Sequence, residues 1–260
     1  EGMGYVVLST NLGVVFGPLI ALTTIQFTSF QMLFGILAVL ISLGLIFSLI
    51  LNIRELPQAK LKTAEKSRLS LQDIIETKVL AVSFVALLTA FAYSSITSFI
   101  TVFAETKQLL AYVSLFFIVF ALSMLLVRPW VGKFYDSKGP DAVIYPSLIF
   151  FALGLVLVTL VNNQWMLWLS AVFIGIGYGS LFPCLQTLAI QAVEKQRMGH
   201  AISTFFTLFD LGLAVGSVMM GIFIAHWGYE TTYMLCAMIV ILTLLVYRYT
   251  ISKKRTKVAI

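Results

Sequence analysis

Apolar residues fall in unbroken blocks along this chain, not in strand-like alternation or along one helical stripe. Eight blocks, at 3–25, 31–52, 79–103, 109–127, 143–161, 166–185, 200–225 and 231–251, each run close to 20 residues, and Asp210 is the one acid inside any of them. A helix crossing the hydrocarbon core needs about 20 residues, so each block predicts one transmembrane helix. The connections alternate in charge. Positions 26–29 and 161–164 carry none, 105–108 carries Lys107, and 226–230 has no Lys or Arg. The others are basic: Arg54, Lys60, Lys62, Lys66, Arg68 and Lys78; then Arg128, Lys133 and Lys138; then Lys195 and Arg197; then Arg248 and the tail. Sixteen of the 17 Lys and Arg residues therefore share one side. Basic short loops stay cytoplasmic, which places the N-terminal end, the segment 54–78 and the C-terminus inside the cell, in the plasma membrane, with Lys107 as the exception.

Composition agrees with this reading. Hydrophobic residues make up 60% and charged residues 11%, against about 45–50% and 25% in soluble domains. The mean hydropathy of +1.01 leaves more apolar surface than one water-soluble core can hide. Soluble enzyme, disordered and fibrous classes are excluded. A net charge of +6 suggests nucleic acid in other settings, but here the cations sit between apolar blocks, so lipid is the expected partner and nucleic acid is not. Cys184 and Cys236 lie inside blocks without metal-ligand spacing and read as packing residues. No phosphate-binding loop, His-Glu-x-x-His site or Gly-x-Ser-x-Gly turn is present, and His200 and His226 stand apart. No cofactor, metal or catalytic residue is expected. Gly175-Ile176-Gly177-Tyr178-Gly179 has the spacing of a dinucleotide turn, but it sits inside an apolar block with Pro183 downstream, as a close-packed, bendable helix would.

The segment 54–78 is the one domain boundary. It is polar, contains Pro57, and ends in the capping-box pattern Ser70-Leu71-Gln72-Asp73; it reads as a solvated linker, or as a short interfacial helix over 71–75. It separates two spans from six. The first span carries Asn11-Leu12-Gly13-Val14-Val15-Phe16-Gly17-Pro18 and the seventh carries Asp210-Leu211-Gly212-Leu213-Ala214-Val215-Gly216-Ser217. They align without a gap. Each is a polar residue, Leu and a Gly-x-x-x-Gly pair, which clears one helix face for close approach of a neighbour. Repeats of this kind mark transporters built from duplicated halves, and a six-helix repeat implies a 12-helix parent.

With these residues the chain resembles the major facilitator superfamily, in particular its 12-helix drug:proton antiporter branch. Gly13, Gly17 and Pro18 look like the antiporter motif of the family's fifth helix. Arg128-Pro129-Trp130-Val131-Gly132-Lys133-Phe134-Tyr135-Asp136-Ser137-Lys138-Gly139 looks like the C-terminal copy of its loop signature. The resemblance implies an all-α polytopic membrane protein with eight transmembrane helices, lacking the first four helices of the N-terminal half. Residues 1–53 then hold the last two helices of that half, 54–78 the central cytoplasmic loop, 79–252 the six-helix C-terminal half, and 253–260 a basic cytoplasmic tail. The missing helices become expected partners.

Candidate functional residues follow in three groups. Arg128, Gly132, Lys133, Asp136, Lys138 and Gly139 form the expected conformational-switch loop, with Gly132 and Gly139 allowing tight turns and Asp136 pairing with a helix end in one access state; the alternative is that these charges only fix topology. Asp210 sits about 15 Å into its span at 1.5 Å per residue, where a charge costs roughly 2.5–3.5 kcal/mol. With Ser203 and Thr207 at helical spacing, it either carries a proton or fixes an interface with a missing helix. Thr89, Tyr93, Thr97 and Thr101 recur every fourth residue, a face expected to look into a substrate cavity or to hydrogen-bond between helices. The function implied is secondary active transport by alternating access, as proton-coupled efflux of small amphipathic molecules or drugs. Export of a specific metabolite or metal chelator, and an eight-helix channel or scaffold, are the alternatives.

Overall fold

The computed structural model describes residues 13, 17, 20, 24, 28–50 and 75–252. Most of the predicted first span with Pro18, the loop 54–74 with its capping-box pattern, and the tail 253–260 lie outside them. Among the described residues there are no strands, and six long helices follow in order: α1 (Phe30–Ile50), α2 (Leu80–Thr106), α3 (Val113–Lys138), α4 (Asp141–Thr159), α5 (Gln164–Gln191) and α6 (Met198–Tyr247). All six are long and apolar enough to cross a membrane. Helix α1 buries Leu33 alone.

At 50 residues, α6 would be about 75 Å long, more than twice the hydrocarbon thickness. It is broken at Gly228, whose φ of 78° and ψ of 171° leave the helical region. The limbs 198–227 and 229–247 fold back on each other: Cys236 Sγ lies 3.3 Å from Met220 Sδ, although a straight helix would hold them about 24 Å apart. The limbs correspond to the predicted spans 200–225 and 231–251.

Small residues set the helix spacing. A Cβ on Gly212 would stand 2.3 Å from Leu87 O, and one on Gly216 would stand 2.4 Å from Ser94 Oγ and 2.7 Å from Phe91 O. The second repeat copy therefore presses α6 against the α2 backbone. Helix α5 does the same on two sides: Gly177 meets the backbone of Phe151 in α4, whereas Gly175 and Gly179 meet Phe120 and Met124 in α3. The Gly-Ile-Gly-Tyr-Gly run is thus a packing device for a central helix. Tyr233, fully enclosed, donates to Ser95 O at 3.1 Å and joins the second limb to α2.

Polar ties close both ends. At the basic end, the backbone N–H of Glu76 donates to Thr204 Oγ1 at 3.0 Å, Lys78 N–H donates to Glu76 Oε1 at 3.3 Å, and Arg197 Nε donates to Glu76 Oε2. Glu76 is 4% exposed. The Arg197 hydrogen bond holds its carboxyl below the ordinary value of 4.5 against the opposing effect of burial, helped by the Lys78 N–H and both positive charges. Asp141 accepts from Tyr247 Oη and, at 2.6 Å, from Ser252 Oγ, which fixes the start of α4 to the end of α6. At the opposite end Lys107, the topological exception, pairs with Glu230 at 2.6 Å.

Two outcomes test this packing. Gly212→Ala must push a methyl into a carbonyl oxygen and should lower stability in detergent by about 1–3 kcal/mol, whereas Gly221→Ala, whose Cβ would meet Phe99 at 3.6 Å, should leave the melting temperature within a degree or two of wild type; equal melting of both would discard the close α2–α6 approach. A carboxylate with a depressed pKa stabilises the fold above its unfolded pKa and loses that contribution as pH falls. Glu76→Gln should therefore melt below wild type at pH 7, and the gap should close as the pH drops below about 4.5; a gap independent of pH would assign the loss to packing.

Candidate functional site

The signature residues are not a loop. Helix α3 continues through Pro129 to Lys138, eleven residues past the predicted end of its span, and the chain turns only at Gly139, where φ is 82° and the N–H donates to Tyr135 O at 3.0 Å. Gly132 is helical, with open space where a Cβ would stand, so it makes no turn. A rigid helical rod replaces the expected hinge because Arg128 to Lys138 contains no residue that must leave αR, Pro129 included.

At 100° per residue this rod presents two faces. One carries Arg128, Gly132, Tyr135 and Asp136, which line a cavity of about 240 Å³ with Pro183, Cys184, Thr187 and Gln191 of α5. Tyr135 Oη donates to Gln191 Oε1 across it at 3.1 Å. Arg128 Nη1 is buried without a hydrogen-bond partner among the described residues, and exposed Asp136 is in no ion pair there. Buried polar atoms are normally satisfied, so this guanidinium is an unfilled hydrogen-bonding site. Trp130 and Phe134 form the other face, with Lys138 Nζ 5.2 Å from the Phe134 ring centre; Lys133 and Lys138 are exposed.

The second group lies on the first limb of α6. Ser203, Thr207 and Asp210 are all exposed and Ser217 is half-buried, one strip along the helix, with Gly212 and Gly216 on the side packed against α2. Ser98 of α2 meets Ser217 at 3.1 Å, so the strip continues onto α2 through Ser98 and Thr97. Asp210 has no hydrogen bond or ion pair among the described residues, and its carboxylate lies in the open, not enclosed as its depth in the span suggested. Phe209, beside it, packs on Phe182 with centroids 4.8 Å apart.

The four-residue repeat on α2 divides. Thr97 is exposed and Thr101 half-buried, but Thr89 and Tyr93 are 2% and 5% exposed, contrary to the expected cavity face. Thr89 Oγ1 donates to its own helix at Val85 O, and Tyr93 stacks on Tyr178 with centroids 3.6 Å apart. Helix α5 covers this part of α2, and periodicity alone could not show which neighbour would do so. Gly13 and Gly17 have no described atom within 4 Å of a Cβ position.

Sequence reasoning missed Glu76 and Asp141. The Glu76–Arg197 partners are 121 residues apart and each reads as an ordinary loop charge. The available signal is an acid directly before an apolar block, at 76 and at 141, where a helix start favours negative charge. Among the described residues no cluster of three His, Cys, Asp or Glu side chains could hold a metal.

Comparison with known proteins places this geometry. The family model described as the Major Facilitator Superfamily matches residues 1–217 and 111–259; the shared stretch fits in two registers, as the internal repeat would produce. Multidrug resistance protein MdtG of Erwinia billingiae is 28% identical over 180 residues, 69% of this chain and 43% of that protein. Its namesake from Escherichia fergusonii is 28% identical over 134 residues, 52% of this chain and 33% of that protein. The match thus spans less than half the length of these relatives. Apolar helices, backbone-close glycines and matched sequence lead to one assignment: the chain is an integral membrane protein of the major facilitator superfamily, a family of transporters and not of enzymes.

Proposed function

We propose that this chain is part of a proton-coupled exporter of small amphipathic compounds in the cell membrane. Residues 79–252 act as the C-terminal half and 1–53 as the last two helices of an N-terminal half. The loop 54–78, the tail 253–260 and the other basic connections lie in the cytoplasm. The likeness to multidrug resistance proteins supports the drug-export reading, and the charge asymmetry supports the orientation.

The observation that carries it is the open carboxylate of Asp210. A charge facing lipid at that depth costs roughly 2.5–3.5 kcal/mol, so the strip Ser203, Thr207, Asp210 belongs against water or against another helix pair. Between two halves it lines the pathway. Protonated, Asp210 tolerates the closed, dry state; ionised, it requires the wetted one, so alternation between states moves a proton. Thr97, Thr101 and the edge of the Phe182–Phe209 pair supply the mixed polar and apolar contacts of a small-molecule site. In the same scheme Asp136 and Arg128 engage a helix end of the other half in one access state, and the rod carrying them moves as a unit. The Gly13, Gly17 and Pro18 motif would pack the two halves together.

In the full-length transporter, Asp210→Asn should abolish most substrate uptake driven by a pH gradient in inverted vesicles while substrate exchange without a gradient persists; unchanged gradient-driven uptake removes Asp210 from coupling. Asp136→Asn should slow turnover by roughly tenfold, equivalent to about 1.4 kcal/mol, at unchanged membrane abundance. Wild-type turnover in that variant would reduce the charges of α3 to topology.

A further inference from the structure

The face of α3 turned away from Asp136 carries a second feature. Between α3, α4 and α5 lies a groove of about 280 Å³, lined by Val127, Trp130, Val131 and Phe134 on one side and by Ala142, Val143, Pro146 and Phe150 on the other. Its few polar contributors are Ser147 and Ser180, and Ser180 Oγ already donates to Ile176 O at 2.6 Å, so the groove offers almost no hydrogen bonds. Trp130 and Phe134 are 59% and 44% exposed, and an exposed groove of almost purely apolar lining in a membrane-spanning chain suits an acyl chain.

The mouth of the groove is cationic. Lys138 follows Phe134 by one turn and its Nζ lies 5.2 Å from that ring. Lys133 follows Trp130 by three residues, the spacing that stacks side chains along a helix. Asp136 falls about half a turn from Phe134 at 100° per residue, on the cavity side and three residues after Lys133, so it offsets Lys133 and leaves Lys138 as the cation of the mouth. Asp141, the nearest acid in sequence on α4, is engaged by Tyr247 and Ser252. Lys138 thus stands beside the Phe134 ring, where a phosphodiester would sit if its chain lay between Phe134 and Phe150.

We propose that this groove is a binding site for an anionic phospholipid, with one acyl chain between α3 and α4 and the phosphate on Lys138. The site is separate from the Asp210 strip and does not depend on the transport reading. It gives Trp130, Phe134 and Lys138 a role distinct from that of Asp136 in the same segment. Bound lipid would hold the end of α3 against the start of α4.

Trp130 is a built-in probe, because Trp165 and Trp168 sit at the start of α5 and Trp227 at the elbow of α6, all at the opposite end. In the full-length protein with every tryptophan except Trp130 changed to Phe and reconstituted in nanodiscs, brominated phosphatidylglycerol should quench Trp130 saturably at a lower mole fraction than brominated phosphatidylcholine. Lys138→Gln should weaken that preference about fivefold, matching roughly 1 kcal/mol per cation at an anionic surface. Ala142→Phe, which fills the groove, should abolish it with Lys138 present. Equal quenching by the two lipids overturns the site, and loss in Lys138→Gln but not in Ala142→Phe overturns the groove in favour of simple surface attraction. Should the single-tryptophan background fold poorly, native mass spectrometry of the wild type in mixed lipid gives the same decision: one retained phosphatidylglycerol, lost in Lys138→Gln, or none.

Discussion

Close backbone contact between helices is the constraint on which the rest depends. Within lipid there is no hydrophobic gain from pressing one apolar helix on another, so association rests on dispersion contacts and hydrogen bonds made at short range. Gly212 and Gly216 bring α6 onto the carbonyls of Leu87 and Phe91, and Gly175, Gly177 and Gly179 let α5 touch α3 and α4 at once. With those contacts made, Tyr233 can reach Ser95 O. The side of α6 opposite the glycines is then fixed, and that side carries Ser203, Thr207 and Asp210. The packed glycines and the exposed polar strip occupy two faces of one helix, set by the same four-residue spacing.

The ends are governed differently. Where the helices leave the hydrocarbon, charges can be used, and the structure places them as cross-links: Glu76 with Arg197 and Thr204, Asp141 with Tyr247 and Ser252, Lys107 with Glu230. An exposed pair such as Lys107–Glu230 adds little stability. A shielded carboxylate such as Glu76 is more demanding, because loss of Arg197 would leave it unpaired. Helices α2 and α6 are therefore joined by glycine contact along their length and by an ion pair at one end. The first limb of α6 has little freedom to rotate by itself, so the polar strip keeps its place relative to α2.

How far this was readable from residues alone depended on the range of the information. Asp210 was legible because a lone charge in an apolar block is costly wherever the block goes, and the glycine pair because its spacing states its purpose. The segment 128–139 was misread as a loop, since charges and a proline normally mark the end of a span, yet helix propensity carries α3 on past the hydrophobic stretch. Thr89 and Tyr93 show a different limit: polar periodicity marks a face and leaves both a cavity and an interhelical contact open, and only the tertiary arrangement decides whether α5 or water covers it. Glu76 and Arg197 could not be paired without coordinates, because nothing within either loop specifies a partner 121 residues away.

The two faces of the α3 rod explain why one short segment contains so many charges. A topology signal alone needs only cations, in any order, near the span end. Here the order has structural meaning: Arg128 and Asp136 are eight residues apart on the side facing α5, whereas Lys138 is one turn beyond Phe134 on the side facing out. A single-residue insertion after Trp130 would leave net charge untouched but rotate everything downstream by about 100°, moving Asp136 out of the α5 cavity and Lys138 away from Phe134. The charge content would survive such a change and both arrangements would be lost, so the helical register of this segment, beyond its charge, decides which side chains meet.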